Sequence, residues 1–202
     1  MAIESHTMSI LSRIIECKKR HCPLLAVLID PNKPTVYQTI LPYLQEVDLV
    51  FVGGSTGESI EPCISTLREY TNTPLVLFPG NIAQFSPHAD ALLFLSLLNA
   101  RDADMLITPH IKVAKQVLQS GIESIPMGYI LLDGERISSV EKVSRCVPIL
   151  QNDVDHIVAT ALAGQLLGKQ LIYLEAGSGA KKVVSADIIR AVREQLQLPL
   201  IV

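Results

Sequence analysis

Residues Leu171–Ala180 read LIYLEAGSGA, and the interpretation of the whole chain turns on them. A short apolar run of strand character, Leu171–Leu174, delivers a carboxylate and then two glycines around a serine. Glycine lets backbone N–H groups approach an anion closely, and successive N–H groups in such a turn form an anion-binding nest. Glu175 stands at the mouth of that nest, where a carboxylate would repel phosphate unless it had a separate task. Holding or deprotonating a substrate hydroxyl is such a task. The combination points to an enzyme acting on a small phosphorylated polyol.

Outward from this stretch, strand-like and helical patterns alternate. Strands are expected at Leu24–Ile29, Leu49–Val52, Leu75–Phe78, Ala91–Leu95, Met127–Leu132, Leu171–Leu174 and Leu198–Val202. Helical periodicity covers Met8–Lys19, Thr35–Glu46, Ile60–Tyr70, Arg101–Gln119, Asp153–Leu167 and Ser185–Gln195. Such β–α alternation predicts a parallel sheet with right-handed crossovers. Residues with chemical potential follow the strands: Asp30, Gly53–Ser55, Pro79–Asn81, Asn99 and Glu175–Gly179. So many consecutive strands feeding one rim favour a TIM-type (β/α)8 barrel, whose active sites lie at that face, over a doubly wound sheet. No internal repeat, low-complexity tract or linker breaks residues 1–202, which read as one domain.

Composition agrees. The 202 residues are 49% hydrophobic but only 4% aromatic, with mean hydropathy +0.35, which suits aliphatic strands buried on both faces. A net charge of −3 argues against general nucleic-acid binding. No apolar run is long enough to span a bilayer, and no signal-peptide core appears, so a cytoplasmic protein is expected. Cys17, Cys22, Cys63 and Cys146 form no CxxC pair and read as reduced thiols without a shared role.

Several rim residues admit two readings. Asp30, in Ile29-Asp30-Pro31-Asn32-Lys33, is placed to hold a hard cation such as Mg2+; it equally suits a turn or a helix cap. Ser55 or Thr56, after Gly53-Gly54, offers a hydroxyl to phosphate or to a metal-bound water, or else caps the next helix. Phe78-Pro79-Gly80-Asn81 could shape a pocket rigidly, though turn chemistry explains it fully; Ser96–Arg101 could line an apolar groove beside a phosphate site, or Asn99 starts a helix. His110 reads as a packed or surface histidine and Tyr129 as core.

The segments LIDPNK, VGGSTG, FPGN, SLLNAR, GYIL and YLEAGSGA, in this order and at these strand ends, resemble the geranylgeranylglyceryl phosphate synthase family and its heptaprenylglyceryl phosphate synthase (PcrB-like) relatives. The resemblance runs from about Leu24 to the C-terminus. It implies a modified TIM barrel and Mg2+-dependent transfer of a long prenyl group, geranylgeranyl foremost, from its diphosphate to the C3 hydroxyl of sn-glycerol 1-phosphate. By motif, it assigns Asp30 and Ser55 to Mg2+, and Asp30 and Glu175 to catalysis. It assigns Tyr173, Leu174, Glu175, Ala176, Gly177, Ser178 and Gly179 to glycerol phosphate. It further implies a homo-oligomer, dimer or higher, with contact to a membrane surface for the lipid product. The family's seventh strand leads into a GGGIR-like turn, a helix, an eighth strand and a GN turn, whereas this sequence stops at Leu200-Ile201-Val202. The expectation is therefore a barrel lacking its last strand and helix, with part of the phosphate site absent. Two other readings stay open: a different phosphate-binding TIM-barrel enzyme, or a non-catalytic binding or assembly protein.

Overall fold

The computed structural model describes residues 8–33, 38–54, 57, 59–102 and 106–202. Seven parallel strands lie in sequential order: β1 (Ala26–Ile29), β2 (Leu49–Val52), β3 (Leu75–Leu77), β4 (Ala91–Leu97), β5 (Glu123–Leu131), β6 (Leu171–Glu175) and β7 (Leu200–Ile201). Six α-helices lie wholly among the described residues: α1 (Ile10–Lys19), α2 (Glu61–Tyr70), α3 (Thr108–Ser120), α4 (Ser139–Ser144), α5 (Val154–Leu166) and α6 (Ala186–Gln195). Every strand expected from sequence is present, with ends shifted by a few residues. The largest shift is in β5, which begins at Glu123 and passes through Pro126. Of the helix expected over Thr35–Glu46, residues 38–40 are α-helical and Leu41–Glu46 continue as a 3-10 helix with Pro42 in its first turn; residues 34–37 lie outside the described residues. Helix α4 was not foreseen, because six residues are too few for a readable period.

Strand alternation sorts the side chains into two sets. Leu49, Phe51, Val76, Ala91, Leu93, Ile125, Met127 and Leu171 point inward and form one cluster with Ile10 and Ile14 of α1. That one cluster gathers β2 through β6, strands that are not all neighbours, because the sheet is curled. Phe78, just past β3, meets Tyr173 of β6 across the interior, with ring centroids 5.5 Å apart. This is a TIM-type barrel to which the chain contributes seven strands. The alternate residues point outward against the helices, as Val50, Val52, Leu75 and Leu77 do beside Ile64 and Leu67 of α2. Ile130, Ile172 and Leu174 do the same beside α5 and α6. Each such fully buried side chain contributes on the order of 2 kcal/mol.

Helix α1 seals the end of the barrel where the strands begin. Its first N–H groups, on Ile10 and Leu11, donate to the Glu123 carboxylate at 2.7 and 2.9 Å, a favourable place for negative charge at a helix N-terminus. With that end closed, the interior opens toward the end where the strands finish.

Between β3 and β4 the pattern changes. Residues 79–90 form turns and no helix, so the outer face of β4 has no helix on its β3 side. Pairing there is brief, limited to Val76–Ala91 and Leu77–Leu92.

Candidate active site

Inward-facing positions at the strand ends carry Asp30, Gly53, Phe78, Tyr129, Tyr173 and Glu175. They border a cavity of about 410 Å3, within the range of ordinary ligand sites. Its polar end is lined by Asp30, Lys33, Gly54, Glu175 and Ser178. Its apolar arm leaves the barrel through the gap beside β3, between the 79–90 segment and α3, where Phe85, Leu92, Phe94, Val113 and Val117 line it. His110 of α3 bonds the Leu95 carbonyl through Nε2 at 2.6 Å, and its ring packs 4.7 Å from that of Phe94. The sequence reading of His110 as a packed residue holds, and the packing forms a wall of the arm.

The helix-free segment is fixed by side chains rather than by a helix ladder. Gln84, 1% exposed, accepts from Gly80 N at 2.8 Å and Gly54 N at 3.3 Å, tying the turns after β2 and β3 together. Glu61, in the first turn of α2, contacts His88 Nδ1 at 2.5 Å.

Asp30 organises its own turn. Its Oδ1 accepts from Asn32 N at 3.0 Å and Asn32 Nδ2 at 3.3 Å, and its Oδ2 lies 3.4 Å from Lys33 Nζ. Gly54 passes so close that a Cβ there would sit 2.7 Å from Oδ1. The turn reading of Asp30 is thus borne out, and the carboxylate still borders the cavity. Ser55 lies outside the described residues. Among the described residues no cluster of three or more His, Cys, Asp or Glu could hold a metal ion.

Glu175 closes β6, where it pairs with Leu131, one register step beyond the Tyr129–Tyr173 pair. The Tyr129 hydroxyl donates to Glu175 Oε2 at 2.5 Å, and Tyr173 also bonds this carboxylate. Burial, and then the Glu175 charge, push both phenols well above the usual tyrosine range, so both remain neutral donors. Phe78, Tyr129 and Tyr173 surround the spot with aromatic faces, the two tyrosine rings 5.2 Å apart. Sequence reasoning placed Tyr129 in the core; it is 3% exposed, yet its hydroxyl belongs to the site. The available signal was the shared alternation Met127-Tyr129-Leu131 and Leu171-Tyr173-Glu175, which puts all six on one face.

The glycine turn after Glu175 has the expected shape. Gly177 and Gly179 adopt φ of +93° and +73°, which only glycine takes without strain. A Cβ on Gly177 would stand 2.6 Å from the Cβ of Ser138. The turn interlocks with the loop after β5, where Gly134 O accepts from Lys181 N and Lys182 N and Arg136 Nη1 donates to Gly179 O at 3.2 Å. Of the seven residues assigned to glycerol phosphate, Glu175 and Ser178 line the cavity. Leu174 and Ala176 are buried, and Leu174 points away into the outer core. Asn99 corrects another expectation: it starts no helix. Buried, it donates to the carbonyls of Leu131 and Val147 and accepts from Leu131 N, clamping the end of β5 beside Glu175.

Comparison with known proteins accords with this geometry. The family model described as PcrB family matches residues 13–202. A geranylgeranylglyceryl phosphate synthase of Zunongwangia profunda is 46% identical over 198 residues, covering 96% of this chain and 85% of the relative. One of Flavobacterium johnsoniae is 41% identical, covering 96% and 82%. Among solved structures, (S)-3-O-geranylgeranylglyceryl phosphate synthase from Thermoplasma acidophilum, in complex with its substrate sn-glycerol-1-phosphate, superposes with TM-score 0.87 at 31% identity, over 96% of this chain and 80% of that one. On its motifs, its barrel and these relatives, the chain belongs to the PcrB family.

Proposed function

We propose that the chain is a prenyltransferase joining a long prenyl diphosphate, geranylgeranyl diphosphate foremost, to the C3 hydroxyl of sn-glycerol 1-phosphate. The observation that carries this reading is a single cavity with two chemistries. A polar end under Glu175 and Ser178 suits a phosphorylated polyol, and an apolar arm running to Val117 suits a hydrocarbon chain. The relatives' names and the sn-glycerol-1-phosphate complex of the Thermoplasma acidophilum protein support it.

In the reaction, the bond between prenyl C1 and its diphosphate oxygen breaks and a C1–O bond to the glycerol hydroxyl forms. Diphosphate leaves and one proton is released. Glu175 is the group to orient that hydroxyl and receive its proton. Tyr129 and Tyr173, neutral by burial, hold the carboxylate in place by donating to it. The faces of Phe78, Tyr129 and Tyr173 offer their negative quadrupoles to the positive charge that develops on the allylic carbon. The turn at Gly177–Gly179 presents backbone N–H groups to the glycerol phosphate.

Mg2+ fits the residues present. It retains waters and needs only one or two carboxylates alongside a substrate's phosphates, and Asp30 borders the cavity with an exposed, exchangeable lysine on Oδ2. Asp30 would hold the ion, with Ser55 beside it by motif, and the ion would neutralise charge on the leaving diphosphate.

The test is a transfer assay with labelled sn-glycerol 1-phosphate and prenyl diphosphates of increasing length, with and without Mg2+. The expected result is a phosphatase-stable ether product that requires Mg2+ and is lost in Asp30→Ala. Folded protein that binds glycerol phosphate yet forms no ether with any prenyl diphosphate would overturn the reading in favour of a binding protein.

A further inference from the structure

Two strand-end turns of the barrel converge on a single side-chain oxygen. The ladder between the first three strands ends with Gly53 N donating to Ile29 O at 3.0 Å and Phe78 N donating to Val52 O at 2.8 Å. The next backbone N–H groups along the chain belong to Gly54 and, because Pro79 has none, to Gly80. Both donate to Oε1 of Gln84, at 3.3 and 2.8 Å. A carbonyl oxygen has two lone pairs and can accept both. Gln84 is buried, yet it borders the cavity.

These bonds reach the acidic end of the cavity through Gly54. Its main chain lies so close to the Asp30 carboxylate that a Cβ would stand 2.7 Å from Oδ1 and 3.2 Å from Oδ2. Gly53 rests on Phe78 in turn, where a Cβ would meet the carbonyl oxygen at 1.9 Å. The turns after β1, β2 and β3 therefore lean on one another. Few strand bonds steady the third of them, since β3 pairs with β4 only at Val76–Ala91 and Leu77–Leu92. Asn81 adds a tie at the exposed surface, donating from Nδ2 to Gly57 O at 3.0 Å. Gln84 supplies the buried tie.

We infer that Gln84 is a positioning residue for the diphosphate of the prenyl substrate, acting through Gly54 and Gly80 on Asp30. Without its oxygen, two backbone N–H groups lose their partner, and the turns must shift to find another. Asp30 then loses the backbone wall that holds its carboxylate at the cavity. Mg2+ demands near-octahedral geometry, so a displaced carboxylate serves it poorly. The glycerol phosphate end is fixed by other bonds, from Tyr129 and Tyr173 to Glu175 and from Arg136 to Gly179. Loss of Gln84 should therefore weaken one half of the site and spare the other. The inference rests on the proposed transfer from a prenyl diphosphate, and it adds a group that the strand-end motifs do not contain.

Titration calorimetry with two probes tests it: inorganic diphosphate with saturating Mg2+, and sn-glycerol 1-phosphate. Gln84→Met keeps the length of the side chain and removes the acceptor. It should bind the Mg2+–diphosphate about 10–100-fold more weakly, the usual effect of losing a group that orients a metal ligand, with affinity for sn-glycerol 1-phosphate unchanged. In transfer assays the KM for the prenyl diphosphate should rise while that for sn-glycerol 1-phosphate holds. If Gln84→Met does not fold, Gln84→Asn, whose shorter arm cannot reach both N–H groups, carries the same expectation. Wild-type affinity for Mg2+–diphosphate in the folded variant would overturn the inference. So would equal weakening toward both probes, which marks a general loss of structure, or a wild type that binds no diphosphate with Mg2+. A wild type that binds both probes and forms no ether would count against prenyl transfer instead, while the binding comparison still decides the role of Gln84.

Discussion

Tyr129 reaches Glu175 from the adjacent strand, its hydroxyl 2.5 Å from Oε2, and the two side chains share the inward face because β5 and β6 pair with Tyr129 opposite Tyr173. A hydrogen bond to a charged group is worth about 1.5–3 kcal/mol. Tyr129→Phe should therefore lower kcat about 10–100-fold and the melting temperature by a few degrees. Steady-state transfer kinetics beside a thermal melt would check both halves.

The apolar arm predicts a change in chain-length preference. Val113 lines the arm on the α3 side, and a much larger side chain there fills space that a prenyl tail would occupy. Val113→Trp should abolish transfer from long prenyl diphosphates and spare short ones, at a stability cost of about 1–3 kcal/mol from overpacking. A length series of diphosphates, compared by kcat/KM, measures it.

Most of this arrangement was legible in the sequence, for physical reasons. A strand that ends in a carboxylate or a glycine pair leaves its polar groups at the sheet's end, so Asp30, Gly53–Gly54 and Glu175–Gly179 declared their common rim without coordinates. Tyr129 did not, because a tyrosine in an apolar strand has the same local pattern whether its ring fills a core or its hydroxyl meets a partner. Only the β5–β6 register distinguishes the two. Asn99 was misread for a related reason: its partners, Leu131 and Val147, are far along the chain, and local turn chemistry cannot reveal them. Of the apolar arm, only a groove beside Ser96–Arg101 was expected; its course was not legible. It arises from a helix that is absent beside β3, and a run of turn residues does not announce what it leaves uncovered.

The glycine turn gives a backbone prediction. Gly177 combines φ of +93° with a would-be Cβ 2.6 Å from Ser138 Cβ, so Gly177→Ala must strain the backbone and displace the loop after β5. A cost of about 1–3 kcal/mol is expected, together with weaker binding of sn-glycerol 1-phosphate. Gly168→Ala, which has positive φ but open space around it, serves as the control and should change stability alone. Urea unfolding and calorimetric titration separate the two effects.

The thiols supply a pH dependence. Burial pushes Cys63 and Cys146 up to about 11, while Cys22 is exposed. A thiol whose folded pKa is raised stabilises the fold fully below its unfolded value near 9, and that contribution is lost as pH climbs through 11. The melting temperature should therefore fall between pH 9 and 11. At pH 8 a thiol reagent should label Cys22 at once and reach Cys63 and Cys146 only after unfolding.

The central claim is that Glu175 acts on the hydroxyl of a glycerol phosphate held at the polar end of one cavity shared with a prenyl chain. Glu175→Gln keeps the shape and the hydrogen bond from Tyr129 but removes the base. The decisive measurement is product formation by this variant in a rapid quench with both substrates saturating, alongside its affinity for sn-glycerol 1-phosphate. A rate at least ~100-fold below wild type with affinity little changed is the predicted result, in keeping with the usual contribution of a general base. Wild-type turnover in the variant would contradict the assignment of Glu175 as the proton acceptor.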